Sequence, residues 1–151
     1  MIKNIREFFK LFNVRLVEKN HLTFVRVKNI DVGTDLLKKL LYFFTDKKTA
    51  LFLSGGKTPK NFYKSLAAEK KLKIGEAGIV DERVGSAGYK NSNEKMIKDT
   101  GLLSFFKENK IPFHSMLGLY PNDIDSSFAR LLSDFSKKIA IMGIGEDGHI
   151  A

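Results

Sequence analysis

The chain has 151 residues, with 26 Lys and Arg against 17 Asp and Glu for a formal charge of +9, and it contains no cysteine. That length suits one ordinary domain spanning 1–151, and the missing cysteines exclude disulfides and thiolate chemistry, fit a reducing cytoplasm and leave any metal to His, Asp and Glu. No apolar run approaches the roughly 20 residues of a membrane helix, Lys3, Arg6, Glu7 and Lys10 interrupt any signal-peptide core, and basic residues do not interleave with aromatics, so neither a membrane nor a nucleic acid is an expected partner.

In chain order, Ile2, Ile5, Phe8, Phe9 and Phe12 recur at spacings of three and four, which predicts an amphipathic helix over residues 2–12. Residues 14–17 and 22–27 are β-rich runs joined by Glu18-Lys19-Asn20-His21, a hairpin or a single strand with a lead-in. Leu36, Leu37, Leu40, Leu41 and Phe44 form one helical stripe over 31–44, with Asn29 or Asp31 available as its cap. Residues 49–53 read as a buried strand that runs without a linker into Ser54-Gly55-Gly56-Lys57-Thr58-Pro59. A helix over 60–68 follows, with Thr58 as N-cap and Pro59 at its first position.

A short strand ends at Ile79-Val80 and delivers Asp81-Glu82-Arg83, then a loop over 84–91. Asn91 with Glu94, or Ser92 alone, caps a helix reaching about Leu103, with Gly101 near its end. A weak strand is expected at 112–116. Asp123 or Asp125 then caps a helix over Phe128, Leu131, Leu132 and Phe135, and a last strand over 139–142 opens into Gly143-Ile144-Gly145-Glu146-Asp147-Gly148-His149. Strands alternating with helices predict a three-layer α/β/α domain with a mostly parallel sheet.

Three loops carry the residues that can do chemistry. Residues 54–58 form a strand-to-helix turn in which Gly55 and Gly56 let backbone N–H groups converge on an anion at a helix N-terminus; a plain tight turn is the other reading. The nucleotide P-loop spacing is absent, although Gly56-Lys57-Thr58 copies its last three letters. In Asp81-Glu82-Arg83, alternation sends Asp81 and Arg83 to one side and Glu82 to the other. There Arg can grip a phosphate and Asp can move a proton, against surface salt bridging as the default for adjacent charges. Gly143, Gly145 and Gly148 formally match a dinucleotide fingerprint, but Glu146 and Asp147 inside the turn would face a pyrophosphate with like charge, and no βαβ unit follows. Asp147 and His149 instead suggest a carboxylate orienting an imidazole base, a buried structural histidine being the alternative.

Taken together, LSGGKTPKNFYKSLA, DER with the following NSN and LL, and IAIMGIGEDGHIA resemble the sugar-phosphate family of 6-phosphogluconolactonase and glucosamine-6-phosphate deaminase over residues 51–151. Asp81-Glu82-Arg83 with Ser92-Asn93 is closer to the lactonases, whereas the Gly-His-Ile-Ala ending is common in deaminases. The resemblance implies that Gly55, Gly56, Thr58 and Arg83 hold the substrate phosphate; Lys57 stands where the family usually has Ser, either as an added phosphate-binding cation or as an exposed substitution. It also implies that Asp81, Asp147 and His149 surround the ring end, His149 being the base that activates water against a lactone carbonyl. No cofactor and no metal are implied. The expected activity is hydrolysis of 6-phosphogluconolactone in the pentose phosphate pathway, with amino-sugar phosphate deamination or a non-catalytic phosphosugar-binding module as alternatives. Family members continue past the position of Ala151 with a helix, further strands and a phosphate-binding lysine. The resemblance therefore implies an incomplete sheet, covered by a further segment, a partner or a second copy.

Overall fold

A computed structural model of the chain describes residues 4–12, 14–83, 90–117 and 121–150, so most of the loop expected at 84–91 lies outside the described residues. The chain divides into two compact units, residues 1–44 and 45–151.

In the first unit, α1 (Ile5–Phe9) is capped by Asn4, whose side-chain oxygen accepts the Glu7 N–H at 2.9 Å. The helix is shorter than the apolar spacing predicts because Leu11 and Phe12 donate to the carbonyls three residues back, at 3.1 Å each, which tightens the last turn. Strands β1 (Arg15–Lys19) and β2 (Leu22–Arg26) pair antiparallel with Lys19 opposite Leu22. Asn20 and His21 are thus a two-residue hairpin turn, with φ of 49° and 67° as such a turn requires. Helix α2 (Ile30–Phe44) is capped by Asn29 rather than Asp31, the Val32 N–H donating to the Asn29 side chain at 3.0 Å. Phe8, Phe9 and Leu36 form the core of this unit.

The second unit is built on a four-stranded parallel sheet in the order β5-β4-β3-β6, comprising β3 (Thr49–Leu53), β4 (Glu76–Ile79), β5 (Phe113–His114) and β6 (Lys137–Ile141). Strand β3 is central and reads as a continuous apolar run because both of its faces are covered; Ala50, Leu51 and Leu53 are fully buried. Helix α6 (Pro121–Asp134) lies over one face. Its approach depends on Gly78, where a Cβ would stand 3.1 Å from Leu131 and 3.2 Å from Phe128. Phe128 also packs on Phe52, the residue registered with Gly78, with ring centroids 6.4 Å apart. A polar clamp completes the docking: His114 joins Glu76 through Nε2 and Ser127 through Nδ1, both at 2.6 Å, and Arg130 donates to the same Glu76 carboxylate at 3.1 Å.

Alternation sends Leu51, Leu53, Ala77 and Ile79 to the opposite face, all of them fully buried. Helices α3 (Lys60–Glu69), α4 (Asn93–Asp99) and α5 (Leu102–Glu108) pack on one another in the same unit. This is the expected α/β fold with a mostly parallel sheet.

Several other local boundaries and caps differ from the sequence reading, β5 covering only Phe113–His114 and β6 running over Lys137–Ile141. The helix expected to reach Leu103 is two helices, broken where Gly101 takes φ 84°. Helix α3 starts at Lys60 as expected, but Pro59 rather than Thr58 holds the cap position, with no side-chain cap, and the Lys60 N–H closes a tight turn on the Lys57 carbonyl at 3.4 Å. Helix α6 begins before Asp123 and Asp125, so both lie inside it, and Leu132 is exposed because the adjacent Leu131 takes the buried position.

Leu131→Ala should therefore lower the unfolding free energy by about 2–5 kcal/mol, whereas Leu132→Ala should change it by no more than about 0.5 kcal/mol. Urea unfolding of the two variants measures the contrast.

Candidate active site

Three strands finish at the same level. The Ser54 N–H extends the β3–β6 ladder to the Ile141 carbonyl at 3.1 Å, and the Val80 N–H extends the β4–β3 ladder to the Leu53 carbonyl at 2.8 Å. Residues 54–59, 81–83 and 142–149 therefore leave the carboxyl edge of the sheet side by side, where open α/β sheets hold their ligands.

The first loop is anchored from below. Tyr63, fully buried on α3, donates its hydroxyl to the Ser54 carbonyl at 3.0 Å, and burial pushes its phenol well above the ordinary range, so it stays a neutral donor. Gly56 then takes φ 95°, in the left-handed region that favours glycine. Gly55 is required for a different reason. A Cβ there would fall 1.8 Å from the Asn93 Oδ1 atom, so only glycine lets the α4 side chain lie against the turn.

Asn93 links the first loop to the second. Its amide Nδ2 donates to the Asp81 carbonyl at 3.1 Å and to Asp81 Oδ2 at 3.0 Å. The adjacent Glu82 faces the other way and serves α4: its carboxylate accepts the Asn93 N–H at 2.7 Å, the Glu94 N–H at 2.9 Å and the Ser92 hydroxyl at 3.0 Å. A carboxylate here satisfies N–H groups that have no partner within the helix and meets the positive end of its dipole. Ser92 is the N-cap residue, accepting the Lys95 N–H at 3.0 Å. Asp81 and Arg83 line the cleft, and Asp81 Oδ1 and Ser54 Oγ are buried polar atoms without a protein partner among the described residues.

The third loop folds back on itself. The Gly145 N–H donates to the His149 carbonyl at 2.8 Å, the Gly148 N–H donates to the Gly145 carbonyl at 3.0 Å, and Ile144 bridges Ile150. The residues that match a dinucleotide fingerprint thus close a turn rather than open a helix. A Cβ on Gly145 would stand 2.3 Å from the imidazole of His149, so the ring lies over bare backbone. His149 Nδ1 sits 2.5 Å from Asp147 Oδ1, and this hydrogen bond holds the Asp147 carboxyl below its usual range. An ionised carboxylate on Nδ1 makes that nitrogen the donor and leaves Nε2 free to accept a proton. Both side chains are largely exposed, at 61% and 75%.

One cleft of about 130 Å³ gathers Gly55, Gly56, Thr58, Asp81, Arg83, Asn93, Gly143, Gly145 and His149. Asp147 stands behind His149, and Lys57 borders a separate, neighbouring cleft instead. Asn93 is the residue that site reasoning from sequence did not single out. Its signal there was its place in the Ser92-Asn93 pair of the family resemblance, which assigned it no role, and its contact with Gly55 joins positions 38 apart in the chain. Among the described residues no three His, Asp or Glu side chains converge as a metal site needs. No described helix is long and apolar enough to cross a membrane.

A family model described as glucosamine-6-phosphate isomerases/6-phosphogluconolactonase matches residues 31–151. The chain belongs to this family. It is 28% identical, over 99% of its length, to the bifunctional glucose-6-phosphate 1-dehydrogenase/6-phosphogluconolactonase of Plasmodium falciparum, and covers 18% of that protein. It is 30% identical, over 69% of its length, to the 6-phosphogluconolactonase of Helicobacter pylori, and covers 46% of it. Among solved structures it resembles 6-phosphogluconolactonase from Thermotoga maritima, with a TM-score of 0.61 at 28% identity over 81% of this chain and 58% of that one. The Plasmodium vivax enzyme structure matches in fold with a TM-score of 0.70 at 22% identity, over 99% of this chain and 56% of that one. The chain thus spans less than two thirds of the length of each of these relatives.

The contact between residue 55 and Asn93 gives a sharp test. Gly55→Ala should lower stability by about 1–3 kcal/mol through overpacking, and adding Asn93→Ala to it should restore part of that loss. Urea unfolding of the single and double variants measures the rescue; additive losses would contradict the contact.

Proposed function

We propose that this cleft binds 6-phosphogluconolactone and hydrolyses it to 6-phosphogluconate. The substrate phosphate lies on the Gly55–Gly56 turn, with the Thr58 hydroxyl and the Arg83 guanidinium as further donors. Backbone N–H groups, a hydroxyl and a planar cation are the donor set a phosphate dianion takes. The ring end then reaches Asp81 and His149 at the far side of the cleft.

His149 Nε2 takes a proton from water as its oxygen bonds to the lactone carbonyl carbon. The tetrahedral oxyanion collapses, the ring C–O bond breaks, and the imidazolium returns the proton to the departing ring oxygen. Asp147 fixes the imidazole tautomer and stabilises the imidazolium between these two transfers. Asp81, held by Asn93, lines the cleft beside the ring end of the substrate. No cofactor takes part in these steps.

The observation that carries this reading is that the Asp147–His149 pair stands on the same cleft as the Gly55–Gly56 turn and Arg83, although the three loops lie far apart in sequence. The names of the family relatives support the substrate. Replacing His149 by Ala should slow hydrolysis of freshly prepared 6-phosphogluconolactone by about 10²- to 10⁴-fold, the usual worth of a general base. The rate above the spontaneous background, followed as acid release, reads the outcome, and an unchanged rate would remove His149 from the mechanism. Ammonia release from glucosamine 6-phosphate would instead assign the chain to the other branch of its family.

A further inference from the structure

A second cleft of about 760 Å³ adjoins the first, and the two share Gly56, Arg83 and Asn93. We infer that this second cleft, framed by Lys57, Lys60, Arg83 and Lys90, binds a second phosphate group, so that the chain takes a ligand carrying two phosphates, one in each cleft. The inference builds on the proposed phosphate site of the first cleft, but its test reads binding rather than turnover.

The charge pattern carries the argument. Among the described residues four cations frame the cleft and no carboxylate lines it. Among the described residues none of the four forms an ion pair, because the nearby acids are committed elsewhere. Glu82 serves the N-terminus of α4, Glu94 accepts the Ser115 hydroxyl, and Asp99 pairs with Lys95 at 2.7 Å, feeling the Lys60 charge only at longer range. Like charges gathered around one cavity repel, and an anionic occupant removes that cost.

The backbone points the same way. Lys57 and Lys60 flank the start of the ten-residue helix α3, whose N-terminus has no side-chain cap, so the positive end of its dipole faces an anion there although the Lys60 N–H is taken by the Lys57 carbonyl. The cleft is several times larger than its neighbour and has room for more than a lone phosphate, and its contact with the first runs through Arg83, a guanidinium able to touch both groups.

Calorimetric titration of the chain at fixed ionic strength with inorganic phosphate, inorganic pyrophosphate and a hexose 1,6-bisphosphate tests this. At least one of the two-phosphate probes should bind about tenfold or more tightly than inorganic phosphate. Lys60→Ala with Lys90→Ala should abolish that advantage and leave inorganic phosphate binding intact. Lys98→Ala with Lys107→Ala removes the same charge from exposed positions outside both clefts and should preserve the advantage. Preference for pyrophosphate means directly linked phosphates, as in a nucleotide diphosphate; preference for the bisphosphate means phosphates set apart on a sugar. Equal affinity for all three probes, an advantage that survives in the Lys60/Lys90 variant, or equal loss in the Lys98/Lys107 variant would overturn the assignment.

Discussion

The Asn93 side chain fills the space that a Cβ at residue 55 would need, while its amide grips both the carbonyl and the carboxylate of Asp81. Two loops from different strands are thereby set against one helix start, the first by close steric fit and the second by two partly buried hydrogen bonds. Glu82 supplies the counterpart by binding the Asn93 and Glu94 N–H groups, so α4 holds Asp81 and the chain beside Asp81 holds α4. Because an unmet buried donor or acceptor costs about 1–3 kcal/mol, such reciprocal satisfaction is a stiff way to place a carboxylate. The cleft inherits its shape from this interlock.

What lies beneath is a conventional consequence of parallel pairing. Strand β3 is buried on both faces, and its neighbours β4 and β6 end at its level, so the chain must turn outward in three adjacent places. Glycine recurs in these loops for different physical reasons: a left-handed backbone at Gly56 and close approach of a side chain at Gly55 and Gly145. The Gly55–Gly56 turn and His149 occupy different loops of one cleft, and the Asp147–His149 pair is carried by a turn that bonds to itself.

Much of this was legible in the sequence where a residue's role is local. The apolar run over 49–53 followed by two glycines marks a buried strand and its turn, and the alternation in Asp81-Glu82-Arg83 separates Glu82 from its neighbours. The spacing of Asp147 and His149 places them within reach inside one turn. Roles set by tertiary contact were not legible. Apolar periodicity runs across Gly101 and so merges two helices into one, since an isolated glycine is tolerated in a helical pattern. Leu131 and Leu132 are equally apolar, and only the docking of α6 on Gly78 decides which is buried. Asn93 carries no local mark of its duty because its partners lie 12 and 38 residues away.

The central claim is that the loops at the carboxyl edge of this sheet form a pocket selective for a phosphorylated sugar acid. Thermal unfolding in the presence of 6-phosphogluconate or of gluconate tests it most directly, with Arg83→Ala protein beside the unaltered chain. Ligand that binds only the folded state raises the midpoint. A rise with 6-phosphogluconate, none with gluconate and none with either ligand in the Arg83→Ala protein is the predicted result. Equal shifts from both ligands, no shift from either, or a shift that survives the loss of Arg83 would contradict it.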